Sequence, residues 1–312
     1  MTTADTQTRQ GVLFALAAYG IWGFAPIYFK AVAFVPALEI LTHRILWAFF
    51  FLLVLLFASG KIRQVMVALR SPKQLLLLAL AAVLIGLNWL LFIWAVANDH
   101  ILDASLGYYI NPLLNVAIGV LFFAERLRRL QLYAIGLAIT GVAVQIITFG
   151  SVPWIALVLA SSFATYGAIR KKLPFDSLTG LFLEVVLLLP LMLVYFIGFA
   201  NSDASNLLAN TWQLNSLLVF AGIITTVPLL FFTGAAKRIR YSTLGFFQYI
   251  APSLMFILAV FLYGEPLSAD KLITFVMIWT ALALYSYDAM RTHRQVRQAA
   301  RVIASAEKTS SH

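Results

Sequence analysis

The sequence predicts an all-α integral membrane protein, with ten transmembrane helices built as two inverted-topology five-helix repeats. Three observations carry this. Of 312 residues, 62% are hydrophobic and 11% charged, where soluble domains run near 25% charged. Apolar stretches of about 20 residues, enough to cross a hydrocarbon core of about 30 Å, recur along the whole chain. Two of them also match each other. YYINPLLNVAIGVLFFAERL (108–127) and QYIAPSLMFILAVFLYGEPL (248–267) share Tyr109/Tyr249, Ile110/Ile250, Pro112/Pro252, Leu114/Leu254, Val120/Val260, Glu125/Glu265 and Leu127/Leu267 at a constant offset of 140.

A polar tail, 1–10, precedes the first apolar segment, 11–30. The second, 37–58, opens with Glu39, His43 and Arg44 before an uninterrupted apolar run. The third is 74–97, the fourth 103–123 and the fifth 130–147. The sixth to tenth are 153–169, 178–197, 214–234, 241–263 and 271–289, followed by a basic tail, 290–312. The offset of 140 places segment 1 on 6, 2 on 7, 3 on 8, 4 on 9 and 5 on 10, so the repeats are 11–147 and 151–289. An odd number of spans reverses the second copy in the membrane, an arrangement found in many transporters. The connections are too short to hold a soluble domain.

The basic residues confirm the alternation of the loops. Arg9, Lys61, Arg63, Arg70, Lys73, Arg126, Arg128, Arg129, Arg170, Lys171, Lys172, Lys237, Arg238, Arg240, Arg291, Arg294, Arg297, Arg301 and Lys308 fall on one side. Of the 22 Lys and Arg residues this leaves Lys30 and Lys271 on the other side and Arg44 inside a helix. The positive-inside rule puts both termini in the cytoplasm. The net charge of +10 is therefore a topology signal with some affinity for anionic lipid, not a nucleic-acid footprint. The chain has no cysteine, which excludes disulfides and thiolate metal sites. No cofactor and no metal are expected. The first apolar run is too long for the core of a cleaved signal peptide.

Ten helices in two inverted halves, with AERL (124–127) and GEPL (264–267) closing the fourth and ninth segments, resemble the EamA-type drug/metabolite transporters. The first element departs from the family's pattern, with Ala124 in place of Gly. YGIWGFAPIYFK (19–30) and EILTHRILWA (39–48) resemble the RarD subgroup more closely still. The resemblance covers about residues 11–290. It implies a secondary transporter of the inner membrane that exports small organic metabolites. Related members handle amino acids, and RarD proteins often carry a chloramphenicol-linked label; neither fixes the substrate here.

Candidate site residues come from the spans. Pro112 and Pro252 lie about 13 to 17 Å into their segments. A proline inside a helix frees the carbonyl four residues earlier, here those of Tyr108 and Gln248, and at mid-bilayer that carbonyl must meet a helix, water or ligand. Bent helices bracketing a central site are one reading; bends that only improve packing are the other. Tyr108, Tyr109, Asn111, Asn115, Gln248 and Tyr249 surround these prolines, with Asn88, Trp89 and Trp94 in the third segment and Trp22 in the first. Aromatic walls with a few amides suit an amphipathic organic solute, although a mid-membrane amide more often joins two helices. Trp154 and Trp212 read as interfacial anchors.

Intramembrane ionisable groups are functional candidates by default. Arg44 and His43 are assigned to substrate, and His43 and Glu184 are the candidates for proton coupling. Glu39 and His43, spaced i, i+4, can meet on one face. Lys30 snorkels to the boundary. Glu125 and Glu265 read as structural charges at the N-terminal end of the following helix, and Glu39 as a structural charge or a partner of Arg44. Arg44 and Glu184 are equivalent under the offset, yet their depths and N-terminal lean argue against a salt bridge. For Arg44 that leaves Glu39, Asp99, Asp103 or a substrate carboxylate. A membrane enzyme or a channel is the alternative to a transporter, but no HExxH, nucleophile elbow, phosphate loop or selectivity-filter repeat appears. The expected partners are a small-molecule substrate and the lipid bilayer; a homodimer is left open.

Overall fold

The computed structural model describes residues 3–123, 128–236, 238 and 247–310. Glu125, with the rest of AERL, lies outside them. Among the described residues the chain is helical: α1 (Thr3–Ala31), α2 (Ala37–Ala58), α3 (Ile62–Ala68), α4 (Pro72–Ala97), α5 (Ile101–Phe123), α6 (Arg129–Phe149), α7 (Trp154–Lys172), α8 (Ser177–Gly198), α9 (Trp212–Ala236), α10 (Ile250–Ile257) and α11 (Ala269–Ser310). A 3-10 turn, Asp203–Ser205, precedes α9, and a π-helical turn, Leu258–Leu262, extends α10.

Among these residues seven helices are long and apolar enough to cross a membrane: Gln7–Ala31 of α1, α2, α4, Arg129–Thr148 of α6, α8, Trp212–Phe232 of α9 and Ala269–Asp288 of α11. Three of the ten expected spans are therefore not in this set; they are α5, α7 and α10. The apolar parts of α7 and α10, Trp154–Arg170 and Ile250–Leu262, are shorter. Thirteen residues reach about 20 Å, less than the hydrocarbon core. Fully apolar side chains such as Phe34, Leu76, Ile147, Ile197 and Phe261 point outward, as a multi-pass membrane protein requires and a soluble one does not.

Local chemistry sets the boundaries. Pro36 ends the turn before α2, and its carbonyl accepts from the N–H groups of Glu39 and Ile40. Pro72 opens α4, where a missing N–H costs nothing. Asp176 caps α8, its carboxylate accepting from the Thr179 N–H at 2.8 Å.

The contacts divide the chain into two compact units. One is Met1–Ile118 with Trp154–Pro266, the other Gly119–Pro153 with Leu267–His312. In the first, α1 packs on α4, α9 and α10, α2 on α4, α8 and α9, and α4 on α7 and α8. In the second, α6 packs along α11. Shifting by 140 residues exchanges the pair α2–α9 with α8–α4 and the pair α1–α9 with α7–α4. α2 and α9 approach closely at Gly222 of α9, where a Cβ would stand 2.6 Å from the Trp47 carbonyl carbon and 2.7 Å from the Ala48 nitrogen of α2.

Pro112 lies inside α5. A turn at Gln248–Tyr249 separates the helical Phe247 from α10, and Pro252 sits in the first turn of α10. One expectation needs correction: Glu265 meets α5 and not the following helix. The π-helical turn and Gly264, at φ +65°, reverse the chain. This turns the Glu265 carboxylate onto the open end of α5, where it accepts from the N–H groups of Ile101 (2.7 Å) and Leu102 (2.9 Å). Charge-assisted bonds to a buried helix N-terminus are worth about 1.5–3 kcal/mol each. Glu265→Ala is therefore expected to cost about 3 kcal/mol and Glu265→Gln less, measured as the drop in unfolding temperature of purified protein in detergent. An unchanged melting temperature for the alanine variant would deny the cap its weight.

Candidate functional site

Arg44 lies two turns into α2, 8% exposed. Its guanidinium carbon is 4.3 Å from the centroid of the Trp89 ring on α4 and 5.8 Å from that of Phe29 on α1. The phenols of Tyr28 on α1 and Tyr108 on α5 are near enough to interact with its charge. The Arg44 Nε has no hydrogen-bond partner, and no ion pair of Arg44 occurs among the described residues. Removing such a cation from water costs several kcal/mol. A desolvated cation–π contact returns about 2 kcal/mol or somewhat more. Phe29 and Trp89 therefore offset only part of the cost.

The acids that could answer Arg44 are engaged elsewhere. Glu39, buried at the start of α2, accepts from the Ser202 hydroxyl and, at 3.4 Å, from the Ser202 N–H. Asp99 pairs with Lys30, which also stands 5.5 Å over the Tyr263 ring. Asp103 pairs with His100 at 3.0 Å. Glu184, 0% exposed on α8, faces the Arg170 Nε at 3.3 Å and accepts from the Tyr166 hydroxyl at 3.1 Å, both on α7. Glu184 is thus paired within its own hairpin and not with Arg44.

The rings between these two charges form a chain. Phe29 meets Phe92 edge-on at 5.6 Å, Phe92 meets Tyr108 at 5.8 Å, Tyr108 meets Phe163 at 6.5 Å, and Phe163 meets Tyr166 at 5.9 Å. The chain runs from the uncompensated cation to the compensated anion through α1, α4, α5 and α7. Tyr108 is half-buried, whereas Asn111, one turn further along α5, is fully buried. Neither amide atom of Asn111 has a partner among the described residues.

The other expected site residues are distributed differently. Asn88 donates to the Leu159 carbonyl and the Ser162 hydroxyl, both at 2.9 Å, tying α4 to α7; its oxygen is unpartnered. Tyr109 and Tyr249 stack at 6.5 Å, and the Tyr109 hydroxyl meets that of Ser253 at 2.6 Å. The Ser105 hydroxyl donates to the Pro252 carbonyl at 2.8 Å, so α5 and α10 are joined around the two prolines. Gln248 is half-buried in the turn before α10. Trp94 is 36% exposed and is engaged by His100 and Trp154 rather than by Arg44. His43 is buried with both ring nitrogens unpartnered and packs edge-on against Phe196 of α8. It does not meet the Glu39 carboxylate. A surface groove of about 450 Å³ along α9, lined by Trp212, Ser216 and Phe220, holds none of these residues.

Sequence reasoning missed Tyr28, Phe29, Phe92, Phe163, Tyr166 and Arg170. Tyr166 and Arg170, at i, i+4 on a segment whose neighbour carries Glu184, did hold a readable signal. The phenylalanines did not, being three of 25 in the chain.

Below the start of α8, Lys61 and Asp176 pair, and the Thr179 hydroxyl meets Gln64 at 3.1 Å. Burial opposes the charge on Asp176, but the Lys61 ammonium and the Thr179 N–H outweigh it and hold the carboxyl below its usual range. That contribution to stability is present above the ordinary carboxylate pKa of about 4 and is lost as pH falls through the lower, folded value.

Against known proteins, the family model described as the EamA-like transporter family matches twice, over residues 9–147 and 151–287. A protein named RarD from Salmonella typhimurium is 58% identical over 289 residues, covering 93% of this chain and 98% of the relative. An uncharacterized transporter from Vibrio cholerae is 52% identical over 299 residues, covering 96% of this chain and 99% of the relative. A crystal structure of a protein 19% identical in sequence superposes with a TM-score of 0.59 over 90% of this chain and 98% of that one, a likeness of fold alone.

Proposed function

We propose, from the premise that the chain belongs to the EamA-like transporter family and to its RarD subgroup, that it exports small organic metabolites by alternating access, with amino acids and drug-like solutes as the two classes to be told apart. The observation that carries this reading is the set of polar atoms buried in the helices without partners. Both amide atoms of Asn111 and the Arg44 Nε are in this state. Buried polar groups that satisfy nothing inside the protein cost free energy without stabilising the fold. A solute that they bind in passage accounts for them.

In this reading the five-helix repeats, 11–147 and 151–289, rock around a site near the bilayer midplane. The two matches to the family model and the exchange of helix pairs under the 140-residue offset support it. In this reading the protein lies in the inner membrane with both termini in the cytoplasm, an orientation that the one-sided distribution of basic residues supports. His43 and Glu184 remain its candidates for proton coupling.

The orientation has a direct test, because the chain has no cysteine of its own. Leu208, 99% exposed in the connection before α9, is placed outside, and Arg70, before α4, inside. A membrane-impermeant thiol reagent should label Leu208→Cys in intact cells and leave Arg70→Cys unlabelled until the membrane is opened. Reversed labelling would overturn the assignment. The function is tested by comparing metabolites released from cells with and without the protein. A restricted set of small solutes should leave faster from cells that have it, and identical release profiles would contradict export.

A further inference from the structure

We infer that Arg44 and the rings around it form a docking site for the carboxylate of the transported solute, and that this solute is an aromatic monocarboxylate without a charged amine. The inference rests on the transporter reading and narrows its substrate.

The cation is the first ground. Arg44 is buried, its Nε is unpartnered, and Glu39, Asp99, Asp103 and Glu184 are each held by another group. A guanidinium takes a carboxylate through two parallel N–H donors, so an arriving anion supplies what the fold withholds. The rings are the second ground. Trp89 and Phe29 stand beside the guanidinium, and Phe92, Tyr108 and Phe163 continue a row of packed rings from there. A flat ring bound by its carboxylate at Arg44 is met by these rings when the helices part to admit it, where offset and edge-on ring pairs are favourable. Asn111 offers an amide donor and acceptor one turn further along α5.

The third ground excludes the amine. An α-amino acid brings an ammonium beside its carboxylate. Among the described residues Asp99, Asp103 and Glu184 are paired, Glu39 is bonded to Ser202, and Glu265 to the N-terminus of α5, so none stands beside the guanidinium to meet it. An ammonium held next to the Arg44 guanidinium meets like charge, which the shared rings offset only in part. The site therefore selects against amino acids and for the corresponding deaminated acids.

The test uses purified full-length protein in detergent and reads thermal stabilisation with four probe carboxylates: benzoate, phenylacetate, cinnamate and 3-phenylpropanoate. Two controls, 3-phenylpropanamide and phenylalanine, remove the charge or add the amine. At least one carboxylate should stabilise saturably, its amide should not, and phenylalanine should do so at least ten-fold more weakly. Loss of a charge-assisted hydrogen bond corresponds to roughly ten-fold or more in affinity. Folded Arg44→Gln should show this loss, and Arg44→Lys, which keeps the charge, a smaller one. Trp89→Leu should weaken binding without restoring the amide. The site is overturned if no carboxylate stabilises the protein, if the amide or phenylalanine matches the acid, or if Arg44→Gln binds as the wild type does.

Failure of the site and failure of the transporter reading separate in vesicles. Exchange of other solutes without carboxylate binding removes the site and leaves the carrier. Carboxylate binding without exchange removes the carrier and leaves the site.

Discussion

Glu184→Ala is expected to be among the most damaging single substitutions in the chain. Glu184 is fully buried, and it answers the Arg170 guanidinium and the Tyr166 hydroxyl at once. Removing it leaves Arg170, itself mostly buried, facing no anion. Breaking a buried ion pair from one side costs about 3–5 kcal/mol, a large share of the stability of an ordinary domain. The measurable result is a sharp fall in folded yield and in the unfolding temperature in detergent. Arg170→Ala should do the same. The double variant Glu184→Leu/Arg170→Met should recover much of the loss, because it leaves no charge stranded. If Glu184→Ala melts as the wild type does, the pair has no structural role.

Gly222→Val should be of similar size for a different reason. The backbones of α2 and α9 approach so closely that a Cβ would fall 2.6 Å from the Trp47 carbonyl carbon. The obstacle is backbone, which cannot swing aside as a side chain can. Small residues are what permit such approaches between membrane helices, and overpacking costs up to about 3 kcal/mol when the backbone must shift. Gly20 in α1 is the control. Nothing lies within 4 Å of its Cβ position, so Gly20→Ala should stabilise by up to about 1 kcal/mol from helix propensity. Thermal unfolding of the two variants side by side checks both signs.

Hydropathy and charge made the membrane class legible, and the motifs GEPL, YGIWGFAPIYFK and EILTHRILWA carried the EamA resemblance. The break at Gln248–Tyr249 was not legible. Neither residue is a turn former, and a proline four residues on reads as easily mid-helix as at a helix start. Glu265 was readable as a charge at a helix N-terminus, but which helix depends on the reversal at Gly264 and on packing against α5, a contact 164 residues away. For Arg44 the presence of a buried charge was visible in the run EILTHRILWA. Its lack of a partner was not, because that depends on where Glu39, Asp99, Asp103 and Glu184 turn in space. Arg170 was hidden by its company: beside Lys171 and Lys172 it counted as a topology signal, while its side chain turns inward to Glu184.

Counterflow in proteoliposomes tests the central claim most directly. Vesicles holding the purified chain are loaded with an unlabelled solute drawn from the release screen or from the aromatic carboxylates, and the labelled form is added outside. A carrier with one site that opens to one face at a time accumulates label transiently, saturates with concentration, and slows when Arg44→Gln replaces the wild type. Flux that rises in proportion to concentration without saturating, or chemical conversion of the solute in place of its movement, would contradict the account.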